Sequence, residues 1–462
     1  MLLFWAGSLP GQSPLEDLQA HLHTTVPEVR ALLALEILDQ TKDARVKQDM
    51  RDLLETVAPQ LDMAYPVNLL RGYATDRPTG FRSNAARLRI TQSDVYSVLA
   101  LEYSSAANSP DLNRAEDFLG RAHRLLNQSI PCAVPHTLFA GEFPRALAAF
   151  WRAAAKQEPK ARDAAHAFAR NLLQRSTQSA LDLALAKMLA ELELPLDEWV
   201  RQFAEKEDTN RSFVDMWVFG YLKGNFEPFE KQGKLKELLI ALDARLRKQL
   251  AKPLCSDHYR DGQAELKYLE QVREALAKFE IPTEPYRASD AEPEPREIEP
   301  TYQSTPQASE MFELGRQMRH TPRLKPEATP EERLSALQDA VAHAKTIAAW
   351  PGDPSFPSHY PPIQRLYFTN ALLYSLPPVE EYRFPILDLQ IGFVRDAFSL
   401  RANAPIAVYF TLEMIERFAG KPETSHLLLE KLAQAGDPNL QALVAYTLVK
   451  KAAAGPKPAV LR

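Results

Sequence analysis

The chain has 462 residues, 45% hydrophobic and 25% charged, with 55 basic and 60 acidic side chains and a net charge of −5. That balance excludes a disordered chain and gives no one-signed field of the kind nucleic acid demands. The length exceeds one ordinary core and calls for two or three domains or a repeat array. Only 16 glycines stand against 36 prolines. Few glycines means few positive-φ turns and phosphate-cradling loops, and many prolines supply helix starts and stops.

The chain opens "MLLFWAGSLPGQSP". It is apolar from residue 2, carries a small-x-small triplet at Ala6–Ser8, and has no lysine or arginine before Arg30. Residues 1–12 therefore read as the remnant of a secretory signal peptide, and the chain as exported, to the periplasm or outside the cell. The alternative is a cytoplasmic chain with a buried N-terminal segment. No other stretch has the roughly 18 apolar residues that a transmembrane helix needs.

From residue 13 the pattern is helical. "SPLE" (Ser13–Glu16) and "TPEE" (Thr329–Glu332) each read as a capping box with proline just inside the helix. Val46, Met50, Leu53, Leu54 and Val57 recur at helical steps, as do Ala115, Phe118, Leu119, Ala122, Leu125 and Leu126. Leu235, Leu238, Leu239, Leu242, Leu246 and Leu250 do the same, with the charges on the other face. "EFPRAL", "ELPLDEW" and "KPETSH" start further runs. "RFPILDLQIGF" is the nearest approach to a strand and also reads as a helix begun by Pro385. Near the C-terminus, helices follow at intervals of about 16 residues, half a tetratricopeptide unit, without that repeat's consensus.

These elements predict an all-α fold of stacked antiparallel helical hairpins, α-solenoid-like. Residues 281–307, proline-rich and without apolar periodicity, read as a linker or a strap on a helical surface. They divide an N-terminal helical array, 13–280, from a C-terminal helical domain, 308–462.

The "FWAGSLPGQSPLEDL" opening, the helical array, the "IPC" and "PLCSD" cysteines, the proline-rich strap and "MFELGRQMR" together resemble exported bacterial α-helical repeat proteins of tetratricopeptide-like layout. The resemblance is one of layout over most of the chain. It implies export and lends no catalytic residue.

Cys132 and Cys255 are the only cysteines. With His136 and His258 they could form a two-thiolate, two-imidazole zinc set, but the spacings are loose and no CxxC is present. An even count in proline-marked loops of an exported protein favours a Cys132–Cys255 disulfide. Two separate buried thiols are the cytoplasmic alternative. His21 and His23 fall on different helix faces, and His123, His166 and His343 read as packed or surface side chains. No metal site and no cofactor is expected, since phosphate loops, dinucleotide turns, nucleophile elbows and zinc-protease motifs are all missing. Trp151, Trp199 and Trp217 read as packing. Trp350, Phe356 and Tyr360 stand in a proline-rich loop, where aromatics either anchor a partner or plug the loop onto its own domain.

The expected function is a non-enzymatic helical-repeat protein binding a protein or peptide partner in the cell envelope, with no nucleic acid. The alternatives are an all-helical (α/α) enzyme such as a glycosidase or lyase, and a purely structural envelope component.

Overall fold

The computed structural model describes residues 14–61, 90–106, 110–126, 142–175, 227–250, 273–286, 327–349, 380–401, 404–418 and 422–453, with a few single positions between them. Among the described residues every regular element is helical and none is a strand. The all-α expectation is met.

The helices are α1 (Pro14–His21), α2 (Pro27–Gln40), α3 (Ala44–Val57), α4 (Gln92–Ser105), α5 (Leu112–Leu126), α6 (Glu142–Ala154) and α7 (Pro159–Arg175). They continue with α8 (Glu227–Lys231), α9 (Leu235–Leu250), α10 (Pro330–Ala349), α11 (Glu380–Phe398), α12 (Ala404–Phe418), α13 (Pro422–Gln434) and α14 (Pro438–Ala453). Six of them begin on proline, where the ring's fixed φ suits the first turn and the missing N–H has no helical partner to lose.

The caps follow from side-chain chemistry. At α10 the Glu332 N–H donates to Thr329 Oγ1 at 3.2 Å, and the Thr329 N–H donates to Glu332 Oε2 at 2.7 Å. This is the reciprocal box that "TPEE" predicts. Thr91 and Asp94 make the same box at α4. The helix over "RFPILDLQIGF" begins at Glu380, earlier than expected. Pro385 therefore lies within its second turn, where it forgoes one backbone hydrogen bond.

Burial follows the 3.6-residue period. On α5, Ala115, Phe118, Leu119, Ala122 and Leu126 are buried, and on α3, Met50, Leu54 and Val57. α2 is different. From Val29 to Leu38 only Arg30 is not buried, so this helix is surrounded by others instead of lying on a surface.

The described chain falls into two compact units. One comprises Met1–Val57, Pro66–Tyr73 and Glu299–Arg462, and the other Ala58–Tyr65 and Ala74–Ile298. In the first, α11, α12, α13 and α14 pack in succession, and α1 packs on α14. α2 lies against α14 and α12. The Val26 N–H at the start of α2 donates to Asn439 Oδ1 at the start of α14, 2.8 Å away, while Glu36 near the end of α2 meets Lys450 near the end of α14. The two helices are therefore parallel, and the chain's first helices are built onto its last.

In the second unit, α4, α5 and α6 pack mutually and α7 lies against α5 and α6. Tyr96 and Tyr103 of α4 each stack on Phe118 of α5 with ring centroids 5.8 Å apart. The Arg114 guanidinium lies 4.7 Å from the Tyr103 ring centroid and donates to its hydroxyl at 2.6 Å. Offset rings and a cation at such distances are worth about 1 kcal/mol each beyond area burial. Among the described residues, no helix is long and apolar enough to cross a membrane.

Candidate peptide clamp on α9

Cys132, Cys255, His136, His258, Trp350, Phe356 and Tyr360 lie outside the described residues, as do Trp199 and Trp217. Trp151 is core, 8% exposed, with its ring 3.8 Å from that of His166 and nearly parallel to it. Burial, then the positive Arg170 and Arg162 one turn away on either side, hold the His166 pKa below its ordinary value. His123 is buried against Phe143. Among the described residues, no group of three His, Cys, Asp or Glu side chains is placed to hold a metal ion.

The polar constellation that stands out joins α9 to residues 281–286, the first part of the proline-rich segment. α9 starts just after a tight helix end. The Lys234 N–H donates to the Phe229 carbonyl and the Gly233 N–H to that of Glu230, with Gly233 at φ 67°. This is a Schellman cap, whose left-handed residue is ordinarily glycine. The helical turn over 273–277 ends in the same way. Ile281 N–H donates to Leu276 and Glu280 N–H to Ala277, but the left-handed residue, at φ 60°, is Glu280.

This cap turns the chain out of the helix into Ile281-Pro282-Thr283-Glu284-Pro285-Tyr286. Pro282 and Pro285 bias the residues before them away from the helical region, so the segment cannot rejoin a helix. Its main chain needs other partners, and two arginines supply them. Arg273 Nη2 donates to the Thr283 carbonyl at 3.2 Å and its Nε to Thr283 Oγ1 at 3.3 Å. Arg247 Nη2 donates to the Glu284 carbonyl at 2.6 Å. Each arginine is itself aimed by a carboxylate one turn away on its own helical stretch, Arg273 by Glu270 and Arg247 by Asp243.

Tyr286 completes the clamp. It is 5% exposed, its hydroxyl donates to Asp243 Oδ1, and the Arg247 guanidinium lies 4.7 Å from its ring centroid. Burial, and then the bond to Asp243, push the phenol's pKa far above its ordinary value. The proton therefore stays on Tyr286, which acts as the donor to a carboxylate that also accepts from Arg247 at 3.0 and 3.2 Å. A hydrogen bond to a charged group contributes about 1.5–3 kcal/mol. In this clamp two guanidinium groups donate to main-chain carbonyls and one carboxylate accepts from a tyrosine hydroxyl.

Sequence reasoning missed this site, although the signal was present. Asp243 and Arg247 stand one turn apart on the polar side of α9, and the proline-rich stretch carries Tyr286 near its start.

A second polar arrangement fixes α2. Glu28 is fully buried and paired with Arg401, and Glu36, 3% exposed, accepts from Gln40 and lies 2.8 Å from Lys450. These carboxylates position a helix. A chemical role would need them close together, and they sit eight residues apart, about 12 Å along the axis.

No protein-family model matches the chain, no curated protein matches it in sequence, and no solved structure matches its fold.

Proposed function

We propose that the chain is a non-enzymatic helical protein, solenoid-like in its stacking, that binds a protein or peptide partner in the cell envelope. The observation that carries this reading is the clamp on α9, where a helical surface holds a non-helical, proline-containing segment by its backbone carbonyls and one aromatic anchor. Such contacts are the chemistry of peptide recognition, in which main-chain bonds give affinity and a side-chain pocket gives selectivity. Export is supported by the apolar opening of the chain and by the resemblance of its layout to exported helical-repeat proteins. The test is affinity capture from a cell-envelope fraction, followed by purification of the retained protein and its titration against the full chain. A stoichiometric, saturable complex is expected. Retention that vanishes when the purified components are mixed would contradict the reading.

A further inference from the structure

We infer that the α9 surface under residues 281–286 is the recognition groove itself, that the chain's own segment is its resident competitor, and that the partner presents a proline-containing peptide with a tyrosine. This rests on the peptide-binding reading and specifies its site and ligand class.

Three features carry it. First, most of the contact is independent of sequence. Arg273 and Arg247 meet the carbonyls of Thr283 and Glu284, groups that any peptide offers in a similar conformation. Second, beyond one bond from Arg273 to the Thr283 hydroxyl, the side-chain selectivity lies in Tyr286. The Tyr286 ring lies against the Arg247 guanidinium and its hydroxyl on Asp243. A phenylalanine would fill the same space but leave the part-buried Asp243 without that donor. Third, the resident is attached through a strained joint. Glu280 adopts a left-handed conformation at φ 60°, which costs a residue with a Cβ on the order of 1 kcal/mol. Undocking the segment frees Glu280 to relax, so the strain weakens the resident's hold without weakening the groove.

The groove also extends beyond its resident. The segment crosses α9 from the level of Arg247 to that of Asp243. Ile240 stands one turn further along, on the same side of the helix, and is 44% exposed. A partner peptide that continues past its tyrosine with an apolar residue would cover it.

The resident segment competes as an intramolecular ligand at an effective concentration in the millimolar range for a short tether. A partner must therefore exceed the resident's contacts or arrive as part of a larger interface.

The probe is a fluorescein-labelled hexapeptide, Ile-Pro-Thr-Glu-Pro-Tyr, titrated by fluorescence anisotropy against the full chain and its Tyr286→Ala variant. Binding to the variant is expected to be saturable and at least about tenfold tighter than to the wild-type chain, because the competing anchor is gone. The same peptide with phenylalanine for tyrosine is expected to bind the variant about tenfold more weakly or worse, by loss of the bond to Asp243. Circular dichroism checks that Tyr286→Ala keeps its helix content. If it does not, Tyr286→Phe, which keeps the ring, is used instead, with a severalfold gain in peptide affinity expected. No saturable binding to either chain, equal binding to both, or equal binding of the tyrosine and phenylalanine peptides would overturn the inference. If the hexapeptide fails while a purified partner protein still titrates, the groove falls and the broader binding reading stands.

Discussion

Glu280 and Gly233 occupy the same position in two Schellman caps of one unit, both in the left-handed region, at φ 60° and 67°. Only one of them is the residue that this geometry favours. Nothing lies within 4 Å of a Cβ built on Gly233, so its only barrier to substitution is the backbone conformation. Gly233→Ala is expected to lower stability by about 1 kcal/mol, and Glu280→Gly to raise it by about 0.5–1 kcal/mol. Urea denaturation of the three chains measures both. A destabilised Glu280→Gly would mean that the glutamate side chain contributes more than its backbone strain costs.

The pair Glu28 and Arg401 gives a prediction about the first unit. Glu28 is fully buried at the start of α2 while Arg401 is about half exposed. Removing the cation leaves a buried carboxylate short of its partner, which typically costs about 3 kcal/mol. Arg401→Ala is expected to lower the unfolding midpoint by that order. Arg401→Ala combined with Glu28→Gln should recover part of the loss, because the second change removes the buried charge. A double variant no more stable than Arg401→Ala alone would show that Glu28 is held by other groups.

His166 predicts a dependence on pH. Its pKa is lowered from an ordinary 6.5, by burial and then by Arg170 and Arg162. Between the lowered and the ordinary value the unfolded chain binds more protons than the folded one. The histidine's contribution is therefore present above about pH 6.5 and is lost as the pH falls from there through the lowered value. The difference in unfolding free energy between pH 7.5 and pH 5.5 should be smaller for His166→Phe than for the wild-type chain. An identical pH dependence in the two would remove the role assigned to His166.

Gln390 on α11 is fully buried, and neither atom of its amide has a hydrogen-bond partner among the described residues. A buried amide without partners costs about 1–3 kcal/mol, and an unbranched apolar side chain of similar volume avoids that cost. Gln390→Met is expected to stabilise the chain by about 1 kcal/mol. Thermal unfolding reads the sign directly, and a lower midpoint would count against the packing described for α11.

The helices were legible because their signals are local. The buried set of α5, from Ala115 to Leu126, is the set its spacing marks, apart from the partly exposed Leu125 and the buried His123, and the Thr329–Glu332 box is where four residues in a row announce it. The joining of α2 to α12 and α14 was not legible. Glu28 and Arg401 are 373 positions apart, and one apolar helix face looks much like another until a buried charge selects its partner. "PEVRALLALEILDQ" does carry that selector, in the two glutamates that the fold buries, but their partners cannot be chosen by spacing. The clamp sits between these cases. Tyr286 and Asp243 are 43 positions apart, and the proline-rich composition marked the strap without showing which helix holds it.

The most direct measurement of partner binding is calorimetric titration of the purified full chain against each protein captured with it from an envelope fraction. A saturable complex of fixed stoichiometry is expected, with a Kd in the micromolar range or tighter and a negative heat-capacity change from buried apolar surface. Absence of saturable heat with every protein recovered from the envelope fraction would contradict it.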